Sequence, residues 1–329
     1  AVHGPYEGEL DTSEALTLVD QISSFARPIL ILTGGDPLMR ADIFDIAEYA
    51  IGKGLRAVMS PNGTLVTPEV ARRMHEVGIA RVSISIDFPT AAEHDAFRGV
   101  PGAFDGAVRG IRTCLEAGVE VQVNSTITRL NVHHLPALLK LAEDLGAVSF
   151  HPFMLVPTGR GKELEEQELP PEEYERALEW MYDAQQESDL FMKPTDVPHY
   201  WRVMRQRARA QGRKLEVHPH SHGGMDTLSR GCLAGVGFCF ISHVGDVQGC
   251  GYFDKVAGNV RERPFPEIWN DSPLFSELRD FDGLKGKCGA CEFRRVCGGC
   301  RARAYEATGD YMAEEPYCVY VPKGWCAPG

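Results

Sequence analysis

The first 231 residues of this chain hold a single cysteine, Cys114. Disulfide-stapled domains are short ones that lack a sufficient core, and a stretch of this length needs no staples. Long apolar runs are missing too: no stretch of about 18 residues is apolar enough to span a bilayer. Positive charge is in deficit, with 34 Lys and Arg against 46 Asp and Glu and a formal net charge of -12. Such a surface repels a phosphate backbone, so nucleic acid is not an expected partner. The opening AVHGPYEGEL has neither the basic flank nor the apolar core of a secretory leader, and the expected compartment is the cytoplasm.

What is present first is alternation. Strand-like runs stand at PILILTGG (28–35), LRAVMSPNG (55–63), ARVSISID (80–87), VEVQVNSTIT (119–128) and AVSFHPFMLV (147–156). Their apolar residues read as strands covered on both faces. Helical patterns lie at 12–25, 41–53, 67–77, 103–117 and 134–145. DTSEAL carries Ser and Thr ahead of Glu at a helix start, and Pro68 takes a first-turn position. Units of about thirty residues without hairpin signals predict an α/β fold on a parallel sheet. The first element is a helix with no strand before it, which predicts a further strand upstream of Ala1.

In such sheets chemistry sits on loops at the C-terminal ends of the strands. Here those loops carry Thr33-Gly34-Gly35-Asp36-Pro37, Ser60-Pro61-Asn62-Gly63, Ser83, Ser85 and Asp87, Asn124-Ser125-Thr126, and Pro157 to Gly161. Gly, Pro, Asn and Asp make turns by themselves. Five polar loops on one rim also suit a small polar ligand lying across the top.

Residues 162–212 turn helical and charged. An acidic amphipathic helix is followed by one bearing Arg202, Arg205, Arg207 and Arg209; both read as solvated faces, the second alternatively as a basic wall for an acidic substrate. His218, His220 and His222 fall in a polar loop at 216–226, a weaker reading being a metal site.

The remaining cysteines crowd the C-terminal part. Cys232, Cys239 and Cys250 are followed after 37 residues by Cys288-x2-Cys291-x5-Cys297-x2-Cys300, then by Cys318 and Cys326. Cys114 reads as a buried thiol within a helix. Eight thiolates fill two zinc sites or two 4Fe–4S clusters. Two CxxC pairs suit a zinc ribbon. No histidine alternates with them, however, and a single ribbon has no use for Cys232, Cys239 and Cys250. Spacing therefore leans to iron–sulfur and leaves zinc open.

The rim loops and the cysteine set together resemble the radical SAM superfamily, in its branch with a C-terminal SPASM domain. TGGDPLMR looks like that family's Gly-Gly-Glu-Pro loop, which binds the amino group of S-adenosylmethionine; here the acidic residue is Asp36. The resemblance implies a partial (β/α)6 barrel at 1–161, a helical linker region at 162–226 and a SPASM domain at 227–329. It implies S-adenosylmethionine contacts at Gly34, Gly35, Asp36, Pro37, Asn62, Ser85, Arg98, Asn124, Thr126, Leu155 and Val156. It places one auxiliary 4Fe–4S cluster on Cys232, Cys239, Cys250 and Cys300, and another on Cys288, Cys291, Cys297 and Cys318; some members keep only one. The family's own cluster needs a CxxxCxxC loop. The sequence has none, and the expectation is that it stands with the missing strand upstream of Ala1.

Several phrases, among them FMLVPTGRG and CGGCRARAYEATGDYMAEEPYC, look closer to the heme synthases of the siroheme-dependent pathway. Relatives in heme d1 maturation and peptide-modifying maturases stand beside that reading, as does a non-catalytic iron–sulfur or zinc protein. The implied reaction is oxidative decarboxylation of two propionates of iron-coproporphyrin III to vinyls, with a small electron-donor protein or reductant as partner. A substrate with four carboxylates and an iron calls for Arg or His. The candidates are His151, Arg160, His199, Arg202 and Arg205.

Overall fold

The computed structural model describes residues 6–213 and 230–326; the histidine loop at 216–226 lies outside them. The chain begins with α1 (Thr12–Phe25), whose N-cap is Asp11. Asp11 accepts from the Glu14 amide while the Glu14 carboxylate takes the Asp11 amide, so the cap stands one residue before the expected Ser or Thr.

Strands and helices then alternate: β1 (Ile29–Leu32), α2 (Ile43–Gly52), β2 (Arg56–Met59), α3 (Pro68–Val77), β3 (Val82–Ser85), α4 (Ala91–Arg98) and α5 (Ala103–Glu116). The series continues with β4 (Val121–Ile127), α6 (Leu135–Asp144), β5 (Ser149–Met154), α7 (Pro171–Glu187), β6 (Phe191–Met192) and α8 (Tyr200–Ala210). The six strands pair in chain order, all parallel. Such single-direction winding puts the crossover helices on one face, which is the wall of a barrel. β6 was not visible in the sequence. At two residues it is too short for a periodic signal, and it lies inside the stretch that reads as helical.

The strands are not apolar on both faces. β4 alternates strictly: Val121, Val123, Ser125 and Ile127 are buried, while Gln122, Asn124 and Thr126 are half-buried. Val82 and Ile84 of β3 are buried and Ser83 and Ser85 half-buried. The buried set packs under the helices with Met59, Met74, Ile111, Leu138 and Phe150. The polar set lines the opposite, inner face, because successive side chains point to opposite faces.

The C-terminal part holds an antiparallel sheet of β7 (Phe240–Ile241), β8 (Asp246–Gln248) and β9 (Val256–Asn259). Then come α9 (Phe265–Asp271), α10 (Pro273–Arg279), α11 (Gly286–Ala290) and α12 (Arg301–Thr308). Phe253, Phe265, Ile268 and Phe275 form a second core that also takes Val19 and Ile22 of α1 and Ile46 and Ala50 of α2. The cysteine-rich part is thereby packed onto the barrel through shared apolar surface.

Candidate functional site

The glycine loop follows β1. Gly34 has φ +144, and a Cβ there would meet no atom within 4 Å, so the loop faces open space. A Cβ on Gly35 would stand 2.9 Å from the Tyr6 hydroxyl. Asp36 is buried and its carboxylate turns inward: Oδ1 accepts from the Leu38 amide at 2.9 Å and Oδ2 from the Asn62 amide at 2.8 Å. Asp36 thus ties the first rim loop to the second, and Pro37 opens the short turn between them. Asn62 Oδ1 accepts from the Thr64 amide at 2.8 Å and closes its own turn.

Strand register sets a row on the inner face. Ser85 pairs with Asn124, and Asn124 with His151. Ser85, Asn124 and His151 are therefore lateral neighbours, with Thr126 next along β4. Nε2 of His151 is enclosed and has no hydrogen-bond partner. Burial, then Lys193 and Arg81, hold that imidazole well below its usual pKa, so it is neutral.

A network through Asp87 and Asn131, whose links the sequence did not show, fixes the end of this row. Asp87 is fully buried, its Oδ1 accepts from the Thr126 amide at 2.8 Å, and its Oδ2 pairs with Nε of Arg98. Asn131 donates to the carbonyls of Asp87 and Thr126, each at 2.8 Å. Arg98 is anchored to Asp87 through its Nε. Leu155 and Val156 are buried at the end of β5, and the Leu155 carbonyl accepts from Nη2 of Arg303 at 3.0 Å.

Arg303 comes from α12. Its head also bonds the Asp196 carbonyl at 3.1 Å, lies 3.6 Å from both Glu168 and Glu315, and rests over the rings of Tyr174 and Tyr317. None of these partners is within 100 residues of it in sequence except Glu315 and Tyr317, and no local signal announces the group. Asp196, just after β6, has φ +61, and burial pushes its carboxyl up to about 7.

The remaining substrate candidates divide. Arg202 is buried and forms a two-pronged pair with Glu175 at 2.7 and 2.6 Å; its Nη2 lies 4.0 Å from the Cys318 sulfur. It is a braced cation, not the solvated charge its helix suggested. Arg205 is exposed. His199 is buried beside Tyr174 with both ring nitrogens unpartnered, and it lines the same cavity as Cys288, Cys291, Cys297 and Cys318. The side chain of Arg160 is outside the described set.

The cysteines form two neighbourhoods. Cys288, Cys291, Cys297 and Cys318 stand around one cavity with Arg202, Glu315 and Tyr320. Cys250 lies within electrostatic reach of Cys232 and Cys300, and Cys300 within that of Cys232. Cys239, between Cys232 and Cys250 in the sequence, is half-buried, and desolvation pushes its thiol up to about 12. Backbone amides point at the sulfurs: Glu315 to Cys288 at 3.3 Å, Phe293 to Cys291 and Gly299 to Cys297 at 3.4 Å, and Arg303 to Cys300 at 3.5 Å. Donors aimed at sulfur suit a thiolate that carries charge, as in an iron–sulfur site. Among the described residues no three His, Cys, Asp or Glu side chains converge on a single ion. Cys114 is fully buried in α5, its thiol pushed up to about 11, and Cys326 is exposed.

Comparison with known proteins bears on both parts. Residues 2–142 match the family described as the radical SAM superfamily, and residues 232–300 match SPASM, described as an iron-sulfur cluster-binding domain. Over 319 residues the chain is 54% identical to the AdoMet-dependent heme synthase of Nitratidesulfovibrio vulgaris, covering 97% of this chain and 86% of that protein. It is 50% identical to the AdoMet-dependent heme synthase of Methanosarcina barkeri, covering 96% and 89%. The crystal structure of Streptococcus suis SuiB bound to S-adenosylmethionine superposes with a TM-score of 0.72, covering 95% of this chain and 70% of that one. At 15% identity that likeness is one of fold.

Proposed function

This chain belongs to the radical SAM superfamily, in the SPASM-bearing branch with the AdoMet-dependent heme synthases, and we propose that it converts two propionates of iron-coproporphyrin III to vinyls. The β-hydrogen of a propionate is unactivated, and no general base in water removes it. Bound S-adenosylmethionine with a reduced 4Fe–4S cluster supplies a radical that does. No CxxxCxxC stretch occurs among the 329 residues, so ligands for that cluster are not assigned here.

The chain's own residues do the positioning. Gly34 and Gly35 leave room for the methionine end. Arg98, fixed by Asp87, presents its fork to a carboxylate. Ser85, Asn124 and Thr126 offer hydrogen bonds to a ribose, with Asn62 and Pro37 shaping the loops beside it. Leu155 and Val156 flank the adenine, the Leu155 carbonyl being held in place by Arg303. His151, kept neutral by burial, stands one strand beyond Asn124, on the side where a substrate would approach. Arg160 and Arg205 remain the candidate contacts for the porphyrin; His199 and Arg202 stand with the thiols of Cys288, Cys291, Cys297 and Cys318.

One observation carries the reading. α12 starts at Cys300 and, three residues on, grips the C-terminal end of β5 through Arg303. Cys232, Cys239, Cys250 and Cys300 would hold a cluster, and through Cys300 it would lie near the C-terminal end of β5. Held there, such a cluster would supply an acceptor for the electron left by each loss of carbon dioxide. A second cluster belongs on Cys288, Cys291, Cys297 and Cys318. The division at 161 and 226, a small protein or reductant as donor, and a cytoplasmic location belong to the same proposal. Among the described residues no helix is long and apolar enough to cross a membrane.

The test is anaerobic reconstitution of the native full-length protein with reductant, S-adenosylmethionine and iron-coproporphyrin III, following the porphyrin by mass spectrometry. The expected product has lost two carboxyl groups. Formation of 5′-deoxyadenosine with an unchanged porphyrin refutes the substrate and keeps the radical chemistry. Zinc in place of iron refutes both.

A further inference from the structure

Arg230 is a half-buried cation beside the cysteines. Its Nε and Nη2 are buried and make no hydrogen bond, and among the described residues no carboxylate pairs with it. The guanidinium lies 3.8 Å over the ring of Phe281. Gly298 leaves it room: a Cβ there would stand 3.2 Å from Nη2. Cys232 and Cys297, one from each thiol neighbourhood, would act on it once they carry charge. Backbone pairing explains the position. The Gly231 amide donates to the Val296 carbonyl at 2.8 Å and the Cys232 amide to the Cys297 carbonyl at 3.0 Å, so the two neighbourhoods share a wall.

A guanidinium does not deprotonate, and an unpaired one costs several kcal/mol to bury. The other cations near the thiols have carbonyl or carboxylate partners and face one neighbourhood. Arg202 has Glu175, and its Nη2 is 4.0 Å from Cys318. Nη1 of Arg301 donates to the carbonyls of Tyr311 and Ala313, and its Nη2 is 3.8 Å from Cys288. Neutral thiols give Arg230 no counter-charge. The sulfur atoms of two clusters do.

We propose that Arg230 is the shared cation of the two auxiliary cluster sites, its free Nε–H and Nη2–H groups donating to sulfur on both. This rests on the two-cluster reading above. A reduced cluster carries one more negative charge, so a cation and N–H···S bonds favour the reduced state. Arg230 therefore raises both reduction potentials, whereas Arg202 raises the one that includes Cys318.

The experiment is an EPR-monitored redox titration of the reconstituted full-length protein, with iron analysis and far-ultraviolet circular dichroism. Cys232→Ala and Cys318→Ala variants assign the two auxiliary signals. In Arg230→Gln both signals are expected to shift to lower potential; in Arg202→Gln only the signal lost in Cys318→Ala shifts. Loss of iron from both sites with native circular dichroism counts as the same shared dependence. A shift or loss confined to one site, or none, in Arg230→Gln overturns the proposal. Wild-type protein that takes up one auxiliary cluster only refutes the two-cluster reading itself, and the bridging role with it.

Discussion

The amide of Cys232 donates to the carbonyl of Cys297 across 3.0 Å, joining residues 65 positions apart. The dense motif KCGACEFRRVCGGC is thereby divided: Cys288, Cys291 and Cys297 look into one cavity with Cys318, while Cys300 turns back toward Cys232 and Cys250.

Removing one thiol should therefore empty one site and spare the other. Cys291→Ala and Cys250→Ala are each expected to lose about four irons per chain while keeping the remaining auxiliary cluster. Iron and labile sulfide per chain, measured anaerobically, check this. Complete loss of auxiliary iron in either variant would deny that the sites are separate.

Asp87 orients Arg98 from a fully buried position. Asp87→Asn keeps the shape and the acceptor for the Thr126 amide but removes the charge. A charge-assisted hydrogen bond contributes about 1.5–3 kcal/mol, so S-adenosylmethionine binding should weaken about tenfold or more. Arg98→Ala should weaken it similarly, and the double variant little further. Equilibrium dialysis of the reconstituted protein decides; additive losses would place the two residues in separate roles.

Arg303 is 1% exposed and faces Glu168 and Glu315, which are 6% and 1% exposed. Replacing it leaves carboxylates buried without their cation, which costs about 3–5 kcal/mol. Arg303→Met is expected to lower the unfolding free energy by that order in urea titration, and Arg303→Met with Glu315→Gln by less. Equal losses would mean that the Glu315 charge is not what Arg303 compensates.

His94 and His151 are held neutral in the fold, their pKa lowered chiefly by desolvation. Nδ1 of His94 accepts the Asp87 amide at 3.0 Å, which needs the unprotonated nitrogen. In the unfolded chain each ring titrates near 6.5. The stabilisation is thus full above that pH and lost as pH falls below it, by at most about 1.4 kcal/mol per unit for each ring. Between pH 7.5 and 5.5 the wild type should lose about 1 kcal/mol more than His94→Asn, whose amide oxygen stands at the Nδ1 position and keeps the bond. Identical pH slopes in urea titrations would exclude a protonation role for His94.

Much of the barrel was legible because its signals are local. Five of the six strands are apolar runs closed by Gly or Pro turns, and the helices between them carry periodic faces and caps such as Thr67 before Pro68. The glycine loop and the cysteine spacings are likewise contiguous in the chain. β6 escaped because two residues show no period, and the expectation of strands apolar on both faces missed the alternation of VQVNSTI, where polar residues line the inner face.

By itself the sequence determined that this is an α/β chain with a glycine loop after a strand and nine thiols gathered toward one end. Only the tertiary structure decided which thiols face one another, that Asp36 turns inward, that Arg202 is braced by Glu175, and that Arg303 and Arg230 sit between parts distant in sequence. The reason is physical. Local patterns follow from φ, ψ and side-chain period, which neighbouring residues set. The partner of a buried charge is chosen by packing across the whole chain, and no spacing of letters records it.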